Sequence, residues 1–173
     1  MNEIKKCIIK QIEEKDIPEV VDLRISSWHD AYRGIIDDEY LQTIDRDKRI
    51  EKIKGNYKET GFIVAYINDE IAGFCRYVDN NEFTPNISSI DCELLSLYIR
   101  PDFKYMGIGT ALFNYVFQEF KAKGKTKMIV WCLKDNEPAK LFYKKLDGKI
   151  LYEKLEPIGG KEYEEVGFVY DIK

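Results

Sequence analysis

Leu95-Ser96-Leu97-Tyr98-Ile99-Arg100-Pro101-Asp102-Phe103-Lys104-Tyr105-Met106-Gly107-Ile108-Gly109-Thr110-Ala111-Leu112 reads as a strand, a short loop with two glycines, and the start of a helix. That order aims a row of backbone N–H groups and the positive end of a helix dipole at one place. A phosphate or pyrophosphate is the natural occupant. The glycine spacing differs from a dinucleotide fingerprint, because the third glycine of G-x-G-x-x-G falls on Leu112. No G-K-[ST] follows, so a nucleotide P-loop is excluded. Two glycines before a helix also fit a plain tight turn, so the surroundings must decide.

The chain has 173 residues, which predicts one domain spanning 1–173. A chain of this size buries roughly two-thirds of its unfolded surface and needs no cross-links. Apolar residues make up 45% and charged residues 34%, as in ordinary globular domains. The net charge of −4 gives no basic excess to hold a nucleic-acid backbone. A mildly acidic surface serves solubility and also suits a cationic acceptor such as a polyamine. Cys7, Cys75, Cys92 and Cys132 are widely spaced, without a C-x-x-C pair, and His29 is the only histidine, so no metal site is expected. Each cysteine lies in or beside an apolar run, where a free thiol acts as a small core residue. Met1 to Ile9 lacks the apolar length of a leader, and no run approaches the roughly 18 apolar residues of a membrane span. The expectation is a reduced, cytoplasmic protein.

Working outward from the glycines, Asp91 to Ile99 is the preceding strand and Ile108 to Lys123 the following helix. Leu112, Tyr115, Val116 and Phe120 share its inner face, and Gly124 closes it. Lys127 to Leu133 is the next strand. Asn136, Glu137 and Pro138 start a helix that runs to about Leu146, with Gly148 beyond it. Lys149 to Leu155 and Glu165 to Ile172 are two final strands joined across Gly159-Gly160. On the other side, Phe62 to Ile67 and Ile71 to Tyr77 form a hairpin over Asn68-Asp69-Glu70. Asp79 to Ser89 is a polar loop holding Pro85. Cys7 to Gln11 is the first strand. Asp16 and Pro18 then open a helix whose Val21, Ile25, Trp28 and Tyr32 fall on one face, ended by Gly34. Short helices follow Asp37 (through Tyr40 and Leu41) and Asp45 (with Ile50 and Ile53 inward). The order β-α-α-α-β-β-β-α-β-α-β-β predicts a mixed, mostly antiparallel sheet flanked by helices, with one crossover around the glycine-containing helix.

The run from Glu93 to Leu112 resembles the acetyl-CoA loop of the GCN5-related N-acetyltransferases. Asn136-Glu137-Pro138-Ala139-Lys140-Leu141-Phe142-Tyr143 resembles the family's second motif. Trp28, Ala31, Tyr32, Arg33, Gly34, Tyr40 and Leu41 resemble its N-terminal helices. Together these cover about the whole chain. The resemblance implies an α/β (α+β) acyl-CoA N-acyltransferase fold and the transfer of an acetyl group from acetyl-CoA to a primary amine. The acceptor would be a small molecule, a polyamine or a peptide, attacking directly in a ternary complex. No metal is needed.

Residue by residue, the resemblance implies that backbone groups of Tyr105, Met106, Gly107, Ile108, Gly109 and Thr110 meet the pyrophosphate. Leu97, Tyr98 and Ile99 lie along the pantetheine arm, on a strand that splays from its neighbour. Lys104 stands where the family has Gln or Arg, and supplies a point charge rather than a planar fork. Asn136 matches a residue that bonds pantetheine, and it also reads as a helix N-cap. Tyr143 matches a general acid for the departing thiolate, and it also reads as a core aromatic beside Phe142. Glu93 is the carboxylate placed best to deprotonate the amine, or else a surface charge. The following strand, where some relatives carry a glutamate, has Trp131. Trp28 and Tyr32 are expected to line the acceptor pocket, near the acidic Asp37-Asp38-Glu39. His29 reads as packing or surface. A homodimer through exposed C-terminal strands fits the family habit. The alternatives are a catalytically silent acyl-CoA-binding or interaction module and a nucleotide-binding regulator using the glycine loop alone.

Overall fold

The structure of the protein, a computed structural model, describes residues 7–173. The Met1 to Lys6 part of the stretch read above for a leader lies outside the described residues.

Seven strands form one sheet: β1 (Cys7–Gln11), β2 (Gly61–Ile67), β3 (Glu70–Val78), β4 (Cys92–Ile99), β5 (Lys127–Leu133), β6 (Lys149–Ile158) and β7 (Lys161–Asp171). Their spatial order is β1-β2-β3-β4-β5-β7-β6. Every pairing is antiparallel except β4 with β5. Five helices flank the sheet: α1 (Ile17–Ala31), α2 (Asp38–Gln42), α3 (Arg46–Asn56), α4 (Ile108–Ala122) and α5 (Glu137–Lys145). The parallel β4–β5 pair needs a crossover, and α4 supplies it.

Each face of the sheet buries its own helices. Ile17, Val20, Val21 and Leu23 of α1 and Ile50 and Ile53 of α3 cover Phe62, Val64, Ile71 and Phe74. On the opposite face Leu112, Val116 and Phe120 of α4 cover Cys75, Leu94, Met128 and Val130, and Tyr143 of α5 joins them. Strand alternation sorts these residues, since successive side chains point to opposite faces. Cys75, Cys92 and Cys132 are buried free thiols and Cys7 is half-buried, matching the core reading. Among the described residues, no helix is long and apolar enough to cross a membrane.

The last hairpin is longer than the sequence reading. Strands β6 and β7 run right up to Gly159 and Gly160, which have φ of +59° and +81°. A two-residue turn of that hand matches strand twist and pairs the residues beside it directly. The charged run Lys161 to Glu164 therefore becomes strand despite its composition. Asp16 also differs in role. Its carboxylate accepts from the Glu13 N–H at 2.9 Å, tightening the turn before α1 instead of capping α1 itself.

One irregularity positions everything below. Arg76 pairs with Ser96 and Tyr77 with Leu94, so Leu95 has no opposite residue on β3. Such a bulge bends and twists its strand. On its other edge β4 pairs with β5 only at Cys92, Glu93 and Leu94, against Met128, Ile129 and Val130. Beyond these, Leu95 to Ile99 and Trp131 to Leu133 diverge into a wedge. Gly73 holds the splayed part of β4 close to β3. A Cβ there would meet Ile99 Cδ1 at 2.6 Å and the Tyr98 carbonyl oxygen at 2.8 Å. Gly73→Ala is expected to cost about 1–3 kcal/mol in denaturant unfolding, because the neighbour that must move includes backbone.

Candidate active site

The wedge between β4 and β5 opens into a cleft of about 1010 Å³ running across the molecule. That is at the upper end of small-molecule sites, which span about 300–1,000 Å³. One side is built from the glycine loop, α4 and α5; the other from α1, α3 and the β6–β7 hairpin.

On the loop side, Lys104, Tyr105, Gly107, Ile108, Gly109 and Thr110 line the cleft together with Leu97, Tyr98 and Ile99. Met106 is half-exposed and is not among the lining residues. Gly107 is the N-cap of α4 at φ +81°, a conformation that an L side chain adopts only with strain, and no side chain caps the helix. The first N–H groups of α4 are thus left for an anion. Gly109 serves packing as well: a Cβ there would stand 3.3 Å from the Phe142 ring of α5. Lys104 is committed elsewhere in part, since its Nζ meets Asp30 of α1 at 2.9 Å. That ion pair ties the loop to α1 across the cleft and lowers the Asp30 carboxyl pKa.

Asn136 is buried, lines the cleft and caps α5, accepting from the Ala139 N–H at 3.2 Å. The N-cap reading is therefore what this side chain does, at a place that borders the cleft. Tyr143 also lines the cleft, 6% exposed, with its ring against Phe142 and Phe168. Burial, then the neighbouring Cys132, Cys75, Tyr170 and Tyr98, raises its pKa well above the phenol range. Tyr143 is accordingly a protonated donor at neutral pH.

On the helix side, Trp28 and Tyr32 line the cleft as expected, packed edge to face at 5.2 Å. The Trp28 Nε1–H donates to the Tyr98 hydroxyl at 2.8 Å, joining α1 to the splayed strand. Burial, followed by Tyr98, Tyr143 and Glu165, keeps the Tyr32 phenol neutral. In the acidic stretch after Gly34, Asp37 has a structural role. Asp37 accepts from the Glu39 N–H at 3.0 Å, capping α2, and pairs with Lys161.

Glu93 is not among the residues that line the cleft. It is 5% exposed, and its Oε2 accepts from the Thr84 hydroxyl at 2.9 Å. Thr84 in turn accepts from the Trp131 indole at 3.1 Å. The polar loop after β3 thus folds back over Glu93, which no spacing rule announces. The carboxylate that does line the cleft is Glu165 on β7, with Glu156 of β6 beside it. Lys154 Nζ reaches Glu156 at 2.9 Å and Glu165 at 3.3 Å, and stands over the Trp131 ring at 4.8 Å. Burial raises the Glu165 pKa, offset in part by Lys154. Glu165 escaped the sequence reading because it lies in a run of charged residues. Its one available signal is position, directly before the apolar Val166 to Tyr170.

The model of the acetyltransferase (GNAT) family matches residues 20–148. This chain belongs to that family. An N-acetyltransferase of Methanocaldococcus jannaschii is 29% identical over 84% of this chain, which spans 62% of that relative's length. A spermidine N(1)-acetyltransferase of Thermoplasma acidophilum is 23% identical over 82% of this chain and 88% of its own length. The fold recurs in the PaiA N-acetyltransferase of Thermoplasma acidophilum solved with coenzyme A. Its TM-score is 0.67 at 21% identity, covering 93% of this chain and 98% of that one. It recurs also in an acetyltransferase of Salmonella typhimurium solved with acetyl-CoA, with TM-score 0.68 at 16% identity, over 96% and 94% of the two chains. The GNAT chain is an acetyl-CoA-dependent N-acetyltransferase. The uncapped helix terminus, the left-handed Gly107 and the unpaired edges of the wedge fit its acyl donor.

The buried Glu93 makes a stability prediction. Burial raises its pKa above the ordinary value of 4.5, so the folded chain holds this proton more tightly than the unfolded chain. Its contribution is fully present below the unfolded pKa and is lost as pH rises through the folded one. Gln keeps an acceptor for Thr84 and carries no charge. Glu93→Gln is expected to melt above the parent at about pH 8, with the gap closing near about pH 4.

Proposed function

We propose that this GNAT enzyme transfers acetyl from acetyl-CoA directly to a primary amine, with Glu165 as base and Tyr143 as acid. The observation that carries this is that both groups line one cleft. Glu165 is shifted upward toward the range where a carboxylate accepts a proton well, and Tyr143 keeps the proton that the departing thiolate needs. Tyr32 is the common neighbour of the two.

The thioester supplies an activated acyl carbon. Backbone N–H groups from Gly107 to Thr110 hold the pyrophosphate, Leu97 to Ile99 align the pantetheine arm as an added strand would, and Asn136 offers its amide nitrogen to the same arm. Glu165 takes a proton from the acceptor nitrogen, directly or through water. The N–C bond forms, the C–S bond breaks, and Tyr143 gives its proton to the sulfur. Solvent returns the proton lost by Glu165 to Tyr143. Glu93 stands behind this base with Lys154 and Glu156 as shared neighbours, and helps set the local field.

A covalent acyl-cysteine route has a poor nucleophile. Cys132 lines the cleft, but burial pushes its thiol up to about 12, so the thiolate is scarce near neutrality. The acceptor class is a primary amine of a small molecule, a polyamine or a peptide.

Two variants test the assignment in a thiol-release assay. Tyr143→Phe keeps the ring packing and is expected to lower kcat by about 10²–10⁴-fold, with coenzyme A binding retained by calorimetry. Glu165→Gln is expected to lower kcat/KM by about 10²-fold or more. The parent's kcat/KM falls as acid protonates Glu165, and this inflection disappears in the variant. An unaltered pH profile in Glu165→Gln would remove it as the base.

A further inference from the structure

Besides the carboxylates, the cleft is lined by two arginines, Arg24 of α1 and Arg49 of α3. Their guanidinium carbons each stand 5.4 Å from the Trp28 ring centre. Neither pairs with a carboxylate among the described residues, whereas Arg46 reaches Asp22 at 2.5 Å and Arg100 reaches Glu70 at 2.7 Å. The Arg24 Nε is buried with no hydrogen-bond partner. So is the Oγ of Ser27, a residue 8% exposed that lines the same cleft one turn along α1. Arg76 of β3 is also short of partners among the described residues: its Nε is buried and unbonded, and its Nη2 donates to the Thr60 hydroxyl at 3.3 Å. Burial and the Arg24 cation lower the pKa of both Arg49 and Arg76.

Three like charges gathered without a counter-ion, in a chain of net charge −4, are costly to fold. The arrangement makes sense when a bound anion completes it. Arginine presents a planar fork that matches a carboxylate with two parallel N–H···O bonds. Ser27 adds a hydroxyl donor. The cleft then carries charge of both signs. Arg24 and Arg49 stand against Trp28 without a carboxylate partner, whereas Glu165 and Glu156 share Lys154, and Trp28, Tyr32 and Tyr98 line the same cleft.

We infer that the acceptor is a zwitterionic amine whose carboxylate is bound by Arg24, Arg49 and Ser27, such as a free amino acid or an amino-acid-like compound. This rests on the direct-transfer reading above and narrows its acceptor. It disfavours polyamines, which bring only positive charge to an arginine-lined cleft. The acceptor nitrogen is thereby aimed at Glu165 and Tyr143, so the anion site is also a positioning device.

The test uses matched sets of L-amino acids, their α-carboxamides and the decarboxylated amines, with polyamines alongside. The parent enzyme is expected to favour an acid over its amide by about tenfold or more in kcat/KM, the difference residing in KM. Arg49→Gln should raise KM for the acid by about ten- to hundredfold and bring the acid-to-amide ratio close to one. Arg49→Lys should recover part of the preference. A coenzyme A-dependent rise in Tm shows that each variant is folded. Equal or better turnover of amides or polyamines, or an Arg49→Gln effect identical on acids and amides, would overturn the inference and leave direct transfer standing. If coenzyme A binds and no amine of any class is acetylated, direct transfer fails instead. Calorimetry with N-acetyl amino acids and their amides, coenzyme A present, then decides the anion site alone. Tighter binding of the acid that is lost in Arg49→Gln supports it, and equal binding of acid and amide refutes it.

Discussion

The unpaired Leu95 is the constraint on which the rest of this molecule depends. Two parallel strands held in register along their whole length would satisfy each other's backbone groups and leave no room for a ligand. Here β4 and β5 share only three residue pairs before the bulge turns β4 away. Backbone donors and acceptors beyond Leu94 and Val130 lose each other as partners, and a buried edge of this kind must be satisfied in some other way. The thioester arm of acetyl-CoA, itself built from amides, can supply the missing partners. The helix that links the two strands begins at the open end of the wedge, so its uncapped terminus faces the same space. One extra residue thus couples the parted strand edges to the uncapped helix terminus.

The wedge also decides which residues meet. Strand alternation puts Leu97 and Ile99 on the α4 side of the sheet and Ser96 and Tyr98 on the α1 side. Tyr98 can therefore accept the Trp28 indole while its backbone still borders the arm. The hairpin of β6 and β7 then closes the cleft from the far edge, where Glu165 pairs in register with Leu133 of β5 and Lys154 of β6.

The glycine-loop side of the cleft was legible in the sequence because local rules govern it. A glycine at a left-handed N-cap, a helix after a strand, and an Asn before Glu-Pro each leave a mark within a few residues. The fold followed from alternating runs and turn residues, and it misjudged chiefly the charged strand at Lys161 to Glu164. The other side depends on distant pairings. Arg24 and Arg49 lie on two helices and look like ordinary surface charge in a one-dimensional reading. Glu165 enters the cleft only through the register of β7, and Glu93 leaves it only because Thr84 of a distant loop folds over it. No periodicity or motif encodes these meetings.

The charges left unbalanced carry information that the balanced ones do not. Sixteen ion pairs link the described residues, nearly all at the surface, where such pairs contribute about 0–1 kcal/mol each. They say little about function. The arginines around Trp28 stand outside that pattern, since a half-buried cation without a partner is disfavoured in the folded chain. Their stacking on the indole offsets part of that cost without neutralising the charge. A fold that can place a carboxylate beside Arg46 and Arg100 could place one beside Arg24. That it does not is a local departure from charge compensation, of the kind expected where a ligand completes the site. Net acidity of the whole chain is therefore a poor guide to an acceptor, because binding responds to the field inside the cleft, and there the α1 and α3 side carries two unpaired arginines.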